Sequence, residues 1–172
     1  MTTRTQPDYL LRNGLFCLNE TGHEVIEHLR QVKAAAARLE KSWAGAYFAK
    51  FFISHAWLAG FRLRLTAYFE TGDEGEQYRT SSLSVDEVTQ LAGIEVAPEL
   101  MSGGEFDAGF AADILQDQLD EYGLDVFTAF FEDGNPGELT LSVQRSAFDT
   151  LLEAPEIEGT AAFSALFREW SV

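Results

Sequence analysis

The sequence predicts an α+β fold in which an internally duplicated helix–strand–strand–helix unit forms an antiparallel sheet flanked by helices, preceded by an N-terminal amphipathic helix. Alternation of apolar and polar side chains over residues 61–69 indicates a strand with one buried face. The sequence of residues 66–76 is repeated 62 positions later in residues 128–138, and seven of the eleven positions are identical. Each copy contains a Gly-rich turn, which is typical of a hairpin. An isolated hairpin is only marginally stable in water, so we expect helices to cover both predicted hairpins.

Length and composition favour one globular domain over residues 1–172. Apolar residues make up 46% of the chain and phenylalanine alone occurs 14 times, which is enough for a sizeable core. Cys17 is the only cysteine, so we expect no disulfide framework and a reducing, cytoplasmic compartment. The most apolar stretch, residues 43–65, contains four ionisable side chains and indicates a buried helix and strand, so no membrane association is expected.

Residues 1–42 are predicted to form an N-terminal helix region. Residues 1–12 show no clear pattern, and Leu15–Leu18 is compatible with a short strand. Thr21 and Glu24 match a capping box, which would start a helix that runs to residue 41. The apolar positions of this helix recur every three or four residues and form a single stripe: Val25, Leu29, Val32, Ala36 and Leu39.

The first repeat unit is predicted at residues 43–93. Gly45 indicates a break before a nearly all-apolar helix, a pattern typical of a helix that is buried on most sides. Ser84 and Glu87 form a second capping box, and Gly93 would close the short helix that follows. The expected elements are a helix at 43–59, a strand at 61–69, a turn at 71–75, a strand at 77–83 and a helix at 84–93.

The second repeat unit is predicted at residues 105–154, at the same offset. A helix over residues 106–122 is expected to turn its apolar side chains inward, at Phe110, Ile114, Leu115, Leu119 and Tyr122. The following elements are a strand at 124–131, a turn at 134–137, a strand at 138–144 and a short helix from Ser146. Residues 155–172 add a C-terminal helix. Two hairpins with common turn residues can also resemble each other by chance, but the gapless offset into both flanking helices favours duplication.

The motifs of enzymes and metal sites are not matched. His23 and His28 are five residues apart, which places them on different sides of a helix, whereas a zinc-protease helix needs histidines four apart. Cys17 has no local nucleophile signature around it, and His55 lies in an apolar helix where a core position is expected. The glycines lie in hairpin turns and open no helix, unlike those of phosphate-binding loops. We therefore expect a non-enzymatic protein without catalytic, cofactor-binding or metal-binding residues.

The charge of −16 is unevenly distributed. Residues 1–64 hold nine basic and five acidic side chains, whereas residues 65–172 hold three basic and 23 acidic ones. Phosphates would be repelled by the second part, so direct nucleic-acid binding is not expected. Acidity can serve solubility or high-salt adaptation alone. A general adaptation should affect both parts of the chain, however, and the asymmetry favours a specific role.

The two predicted repeats differ most in charge. Residues 43–93 carry four basic and six acidic side chains, whereas residues 105–154 carry one basic and twelve acidic ones. The acidity of the second unit is therefore not a requirement of the shared fold. On its predicted helix the acidic residues recur with helical spacing, and the nearby turn adds two more; the candidate partner-binding residues are Asp113, Asp117, Asp120, Glu121, Glu132 and Asp133.

These observations support three functional hypotheses. In the first, the acidic residues mimic the charge of nucleic acid and occupy the basic groove of a DNA- or RNA-binding protein, as inhibitors of restriction or CRISPR systems from phages and mobile elements do. In the second, the chain is an assembly or scaffold protein that forms a homodimer through the duplicated sheet or through the aromatic residues of segment 47–61, and its acidity serves only solubility. In the third, a cleft between the two repeats binds a small ligand or performs catalysis.

Overall fold

Helices and antiparallel strands together make an α+β fold in the computed structural model, which describes residues 6–131, 136–147 and 149–170. The helices are α1 (Glu20–Ser54), α2 (Ala108–Asp120), α3 (Gly123–Thr128), α4 (Asp149–Leu152) and α5 (Gly159–Leu166). The strands are β1 (Tyr9–Arg12), β2 (Leu15–Leu18), β3 (Leu58–Thr71), β4 (Gln77–Gln90), β5 (Met101–Ser102), β6 (Glu105–Phe106) and β7 (Gly137–Gln144). The chain divides into two compact units, residues 1–39 and 40–172, and α1 contributes to both.

The first unit contains a hairpin that the sequence reading missed. Strands β1 and β2 pair antiparallel across Asn13 and Gly14, which have φ angles of 51° and 79°. An Asn-Gly pair with positive φ at both positions is the turn that best matches the twist of a tight hairpin. The short strand considered at Leu15–Leu18 is β2, but the predicted architecture with an N-terminal helix as its first element is not confirmed, because α1 follows two strands.

The start of α1 also differs from the prediction. The side-chain oxygen of Asn19 accepts a hydrogen bond from the backbone N–H of Gly22 at 2.7 Å, so Asn19 is the N-cap. The side-chain amide of Asn19 donates to the carbonyl oxygen of Gln6 at 2.7 Å, which ties the helix start to the chain before β1. The predicted capping box at Thr21 lies inside the first turn of α1 and does not start the helix.

Helix α1 is continuous through Gly45, where a break was expected. In the second unit a side-chain carbon at Gly45 would overlap the carbonyl oxygen of Gly159 and the backbone nitrogen of Phe163. Gly159 likewise leaves no room for a side chain beside Ser42. The two glycines therefore allow the backbones of α1 and α5 to approach closely, and Gly45 serves packing instead of ending the helix.

The second unit is built on a sheet in the order β4–β3–β7, with antiparallel pairing throughout. The predicted hairpin of the first repeat is confirmed, since β3 and β4 pair from Thr71↔Gln77 onward. One face of the sheet is buried at alternate residues of β3 and β7: Phe61, Leu63, Leu65, Leu141 and Val143. Against it pack buried side chains of the helices, including Phe48, Phe52, Leu115, Phe127 and Phe163. Helices and sheet therefore enclose one core.

Two predicted elements have the wrong type. Residues 84–90 continue β4 instead of forming a helix, because Val85 pairs with Leu63 in the sheet. The strand expected at 124–131 is not formed, because residues 123–128 form α3, with Val126 and Phe127 buried. A short apolar run suits a buried helix as well as a buried strand, and here it packs as a helix.

These differences bear directly on the predicted duplication. Residues 66–69 lie in β3, whereas their counterparts 128–131 end α3 and continue past it. The predicted turn falls partly on residues 132–135, which lie outside the described residues. Strand β7 confirms the strand expected at 138–144, but it pairs with β3 and not with the segment before it. The internal duplication is therefore not confirmed by the fold.

The short helix expected from Ser146 corresponds to a 3₁₀ turn at Arg145–Ala147 and to α4, whereas the C-terminal helix expected at 155–172 is divided into α5 and a 3₁₀ turn at Arg168–Trp170. Phe163 and Phe167 are buried in the core, and Lys41 donates a hydrogen bond to the carbonyl oxygen of Trp170 at 2.8 Å. No helix in the described part of the chain has the length and apolarity needed to cross a membrane.

Candidate protein-interaction surface

Helix α2 presents the predicted acidic residues. It begins at the N-cap Asp107, whose carboxylate accepts a hydrogen bond from the backbone N–H of Phe110 at 2.9 Å. Its buried side is formed by Ala111, Leu115 and Leu119, which are spaced four residues apart and enter the core. This spacing fixes which side of the helix faces solvent.

The acidic residues of α2 lie on the side opposite the core. With about 100° per residue, Asp113, Asp117 and Asp120 lie about 140–160° around the helix from the centre of the buried side. All three are exposed, and so is Glu121 directly after the helix. We call these four residues the acidic face. The structure thus brings four of the six predicted site residues together; Glu132 and Asp133 lie outside the described residues.

Two glutamine side chains fix the rotation of α2. Gln116 accepts a hydrogen bond from the backbone N–H of Val85 at 2.8 Å and donates one to the carbonyl oxygen of Leu83 at 2.7 Å. It therefore supplies polar partners to the edge strand β4. Gln118 accepts from the hydroxyl of Tyr47 at its carbonyl oxygen and lies 2.7 Å from Nε2 of His55 at its side-chain oxygen. Helix α2 is held between β4 and α1, and the acidic face is held outward.

Two aromatic residues expected in the core are exposed next to the acidic face. Phe110 is 45% exposed and Tyr122 is 39% exposed. The Tyr122 ring lies 5.3 Å from the Tyr47 ring and 6.0 Å from the Trp43 ring, so one side of it is supported by packing. The prediction that both residues point inward is wrong. The surface of α2 therefore combines carboxylates with large apolar groups.

The carboxylates of the acidic face have no basic partner in the described residues. The sheet carries Arg62 and Arg64, but these pair with acidic residues of β4: Arg62 with Glu87 at 2.5 Å, and Arg64 with Asp86 at 3.7 Å. Asp120 of the acidic face accepts a 2.8 Å hydrogen bond from the side-chain amide of Gln116. The negative charge of α2 is thus left for solvent or for another molecule.

The acidic face also affects the nearest phenol. Burial is the largest cause that raises the pKa of Tyr47, and together with the neighbouring Tyr122 and the negative charge of Glu121 it brings the pKa to about 12. The phenol hydroxyl donates to the carbonyl oxygen of Gln118 at 3.1 Å. Tyr47 is therefore held neutral and acts as a hydrogen-bond donor between α1 and α2.

Sequence reasoning missed three residues of this surface. Asp125 is exposed in α3, shortly after the acidic face, and it was not selected because residues 124–131 were predicted as a strand. Phe110 and Tyr122 were assigned to the core because they are aromatic. The helical angle of Phe110, about 140° from the centre of the buried side, is the signal that could have identified it as exposed.

A pocket of about 360 Å³ lies between the edge of β4 and the helices α2 and α3. Among the described residues, its lining is formed by Ser81, Ser82, Leu83, Asp120, Gly123 and Phe127. Asp120 is the one ionisable group among them. A single carboxylate among hydroxyl and apolar groups is not a general acid–base pair or a nucleophile with its base. The pocket therefore gives the catalytic alternative no support.

Comparison with known proteins identifies no relative. No protein-family model, curated protein or solved structure matches the chain.

Proposed function

We propose that this chain is a non-enzymatic inhibitor that binds a basic, nucleic-acid-binding protein through the acidic face of α2, in place of the nucleic acid. The proposal rests on one observation: Asp113, Asp117, Asp120 and Glu121 are exposed on one surface and form no salt bridge with another described residue. Such an inhibitor would act in the cytoplasm, against a restriction or CRISPR component or a protein of similar chemistry.

The spacing of the carboxylates supports mimicry of a nucleic-acid strand. Asp113 and Asp117 are separated by about 6 Å along the helix axis, of the same order as neighbouring phosphates of one DNA strand. Asp117 is followed by Asp120 and Glu121 within one further turn. Carboxylates at this spacing repel each other by a few tenths of a kcal/mol per pair, a cost that a basic groove would reverse.

The exposed aromatics favour a protein partner over simple solubility. Aromatic residues are enriched at the centres of protein interfaces, where they supply most of the binding energy. Phe110 lies beside the acidic face and Tyr122 directly follows it in sequence. A surface that served solubility alone would have no use for exposed rings next to its carboxylates.

The proposal is tested by capture from a host lysate at low and high salt. The wild-type chain should retain nucleic-acid-binding proteins that duplex DNA or RNA releases, because ligand and mimic compete for one groove. The variant D113N/D117N/D120N/E121Q should lose this capture. High salt should reduce the amount of protein that the wild-type chain captures, because salt screens the electrostatic attraction.

A matched control separates the acidic face from net charge. Glu95, Glu99, Glu153 and Glu156 are exposed in other parts of the second unit. Changing these four to Gln alters the net charge by the same amount and should leave capture unchanged. If both variants lost capture equally, or both retained it equally, a role for the acidic face would be refuted.

The second hypothesis, homodimer formation through segment 47–61, finds its residues largely inside the protein. Phe48, Phe52 and Phe61 are at most 1% exposed and belong to the core of the second unit. An assembly role therefore needs another apolar surface, and the first unit contains one.

A further inference from the structure

The first unit has no core of its own. Its described residues form a hairpin and the first part of α1, and the buried hydrophobic residues of the protein begin only at Ala44. Nine large apolar side chains are instead exposed here: Tyr9, Leu11, Leu15, Phe16, Val25, Ile26, Leu29, Val32 and Leu39. Segments below about 40 residues rarely fold without an additional stabilising contact, and oligomerisation is one such contact.

The exposed residues of α1 follow the spacing of a coiled coil. Val25, Leu29, Val32, Ala36 and Leu39 are separated by four, three, four and three residues, which is the pattern of core positions in a heptad repeat. The leucines and valines of this stripe are between 48% and 71% exposed. Alanines surround Ala36 on both sides, so a second helix can approach closely there. The apolar stripe, defined by these five residues, therefore has the geometry to receive a helix.

The charges of α1 indicate that the second helix is another copy of α1 in antiparallel orientation. Within the first unit, the early part of α1 carries Glu20, Glu24 and Glu27, and the later part carries Arg30, Lys33 and Arg38. In an antiparallel pair with the two stripes aligned at Val32, Glu27 of each helix lies close to Arg38 of the other. Parallel copies would place like charges together. The antiparallel arrangement also opposes the two helix dipoles favourably.

The distribution of total charge agrees with this surface. Residues 1–39 contain five basic and four acidic side chains, whereas residues 40–172 contain seven basic and 24 acidic ones. Two copies that met through the second unit would repel each other strongly, whereas the nearly neutral first unit avoids this repulsion. Apolar exposure and low net charge thus occur in the same part of the chain.

We propose that the apolar stripe of α1 is the interface of an antiparallel homodimer. The occupant is the α1 stripe of a second copy. The dimer does not depend on the acidic face of α2, which can act in either oligomeric state.

Sedimentation equilibrium of the full chain tests the interface. The wild type should show a concentration-dependent dimer, and L29E/V32E should be monomeric across the same range. The matched control is Q31E/A34E, which adds the same charge to other positions of the helix and should remain dimeric. Circular dichroism and unfolding of the second unit check that all variants are folded. A wild type that is monomeric at all concentrations, or a control as disrupted as L29E/V32E, would overturn the proposal.

The orientation is tested by cross-linking on a Cys17→Ser background. Chains carrying Val25→Cys or Leu39→Cys are treated with a short bismaleimide, separately and as a mixture. An antiparallel dimer should give the mixed 25–39 product and little of either self-linked product. Efficient self-linking at both positions, without the mixed product, would show a parallel dimer and contradict the charge argument.

Discussion

Tyr47 gives the clearest pH-dependent prediction for a single residue. Burial and the nearby Tyr122 and Glu121 raise its pKa from 10.0 to about 12 in the folded protein. Between these two values the folded state keeps a proton that the unfolded state releases, so stability falls as pH rises through this interval. Below pH 10 both states are protonated and the contribution of this group is constant.

The prediction is tested with Tyr47→Phe. The wild type should lose more unfolding free energy than the variant as pH is raised from neutral to about 11, as measured by urea denaturation. At neutral pH the variant should be less stable by about 1 kcal/mol, because it lacks the hydrogen bond from the Tyr47 hydroxyl to the Gln118 carbonyl oxygen. Tyr9→Phe, at an exposed hairpin position, is the control. Parallel pH curves for wild type and Tyr47→Phe would contradict the assignment.

Residue-level patterns predicted some local features and missed others. The burial of Leu115 and Leu119 was predicted from the sequence, because helical spacing acts over a few residues, whereas the N-cap Asp107 and the buried Ala111 were not identified. The Thr21 and Ser84 capping boxes were misleading. Ser84 and Glu87 lie in β4, where pairing with β3 supplies the hydrogen bonds that a helix would otherwise have provided.

Among the elements, the contact between α1 and α5 depends on two glycines. Gly45→Ala should raise the helix propensity of α1 by about 1 kcal/mol. The new methyl group would, however, overlap the Gly159 carbonyl oxygen and the backbone of Phe163, which cannot yield like a flexible side chain. We expect a net loss of about 1–3 kcal/mol in unfolding free energy, measured by chemical denaturation.

Gly109→Ala is the matched comparison for that change. Gly109 lies in the first turn of α2, and a side-chain carbon there would have its nearest neighbour, Asp107 Oδ1, at 3.5 Å. The same substitution should therefore be neutral or slightly stabilising at position 109. If Gly45→Ala were equally harmless, the close approach of α1 and α5 would not be needed for stability.

The elements of wrong type show that a local sequence pattern cannot distinguish a buried strand from a buried helix. The apolar run at 126–131 satisfies the requirements of a buried strand and of a buried helix, and its similarity to residues 64–69 favoured the strand. The structure places Val126 and Phe127 in a helix instead, and β7 takes the position beside β3. Strand pairing joins residues far apart in sequence, so no local window contains the information that decides it.

For the whole molecule, charge predicts the response of stability to salt. The second unit has seven basic and 24 acidic side chains, and like charges close together oppose folding. The melting temperature should rise as salt is added from low to physiological ionic strength, because screening weakens this repulsion. The variant D113N/D117N/D120N/E121Q should melt at a higher temperature than the wild type at low salt and respond less to salt.

This experiment also separates stability from binding at the acidic face. A variant that is more stable yet captures no partner would show that the carboxylates are kept for interaction at a cost to the fold. A melting temperature that falls with added salt would instead mean that favourable ion pairs outweigh the repulsion. The ion pairs of Arg62 and Arg64 with β4 are exposed and are each expected to contribute less than about 1 kcal/mol.

The sequence by itself determined the α+β class, the β3–β4 hairpin, α2 and the position of its acidic residues. Each of these follows from alternation, helical spacing or capping among neighbouring residues. Only the tertiary structure decided that residues 84–90 stay in the sheet, that residues 123–128 form a helix and that Gly45 lies inside α1. In each case a partner distant in sequence supplies the deciding contact: β3 for Val85, the core for Phe127 and α5 for Gly45. Packing energy from such partners exceeds the small local preferences that a sequence pattern records.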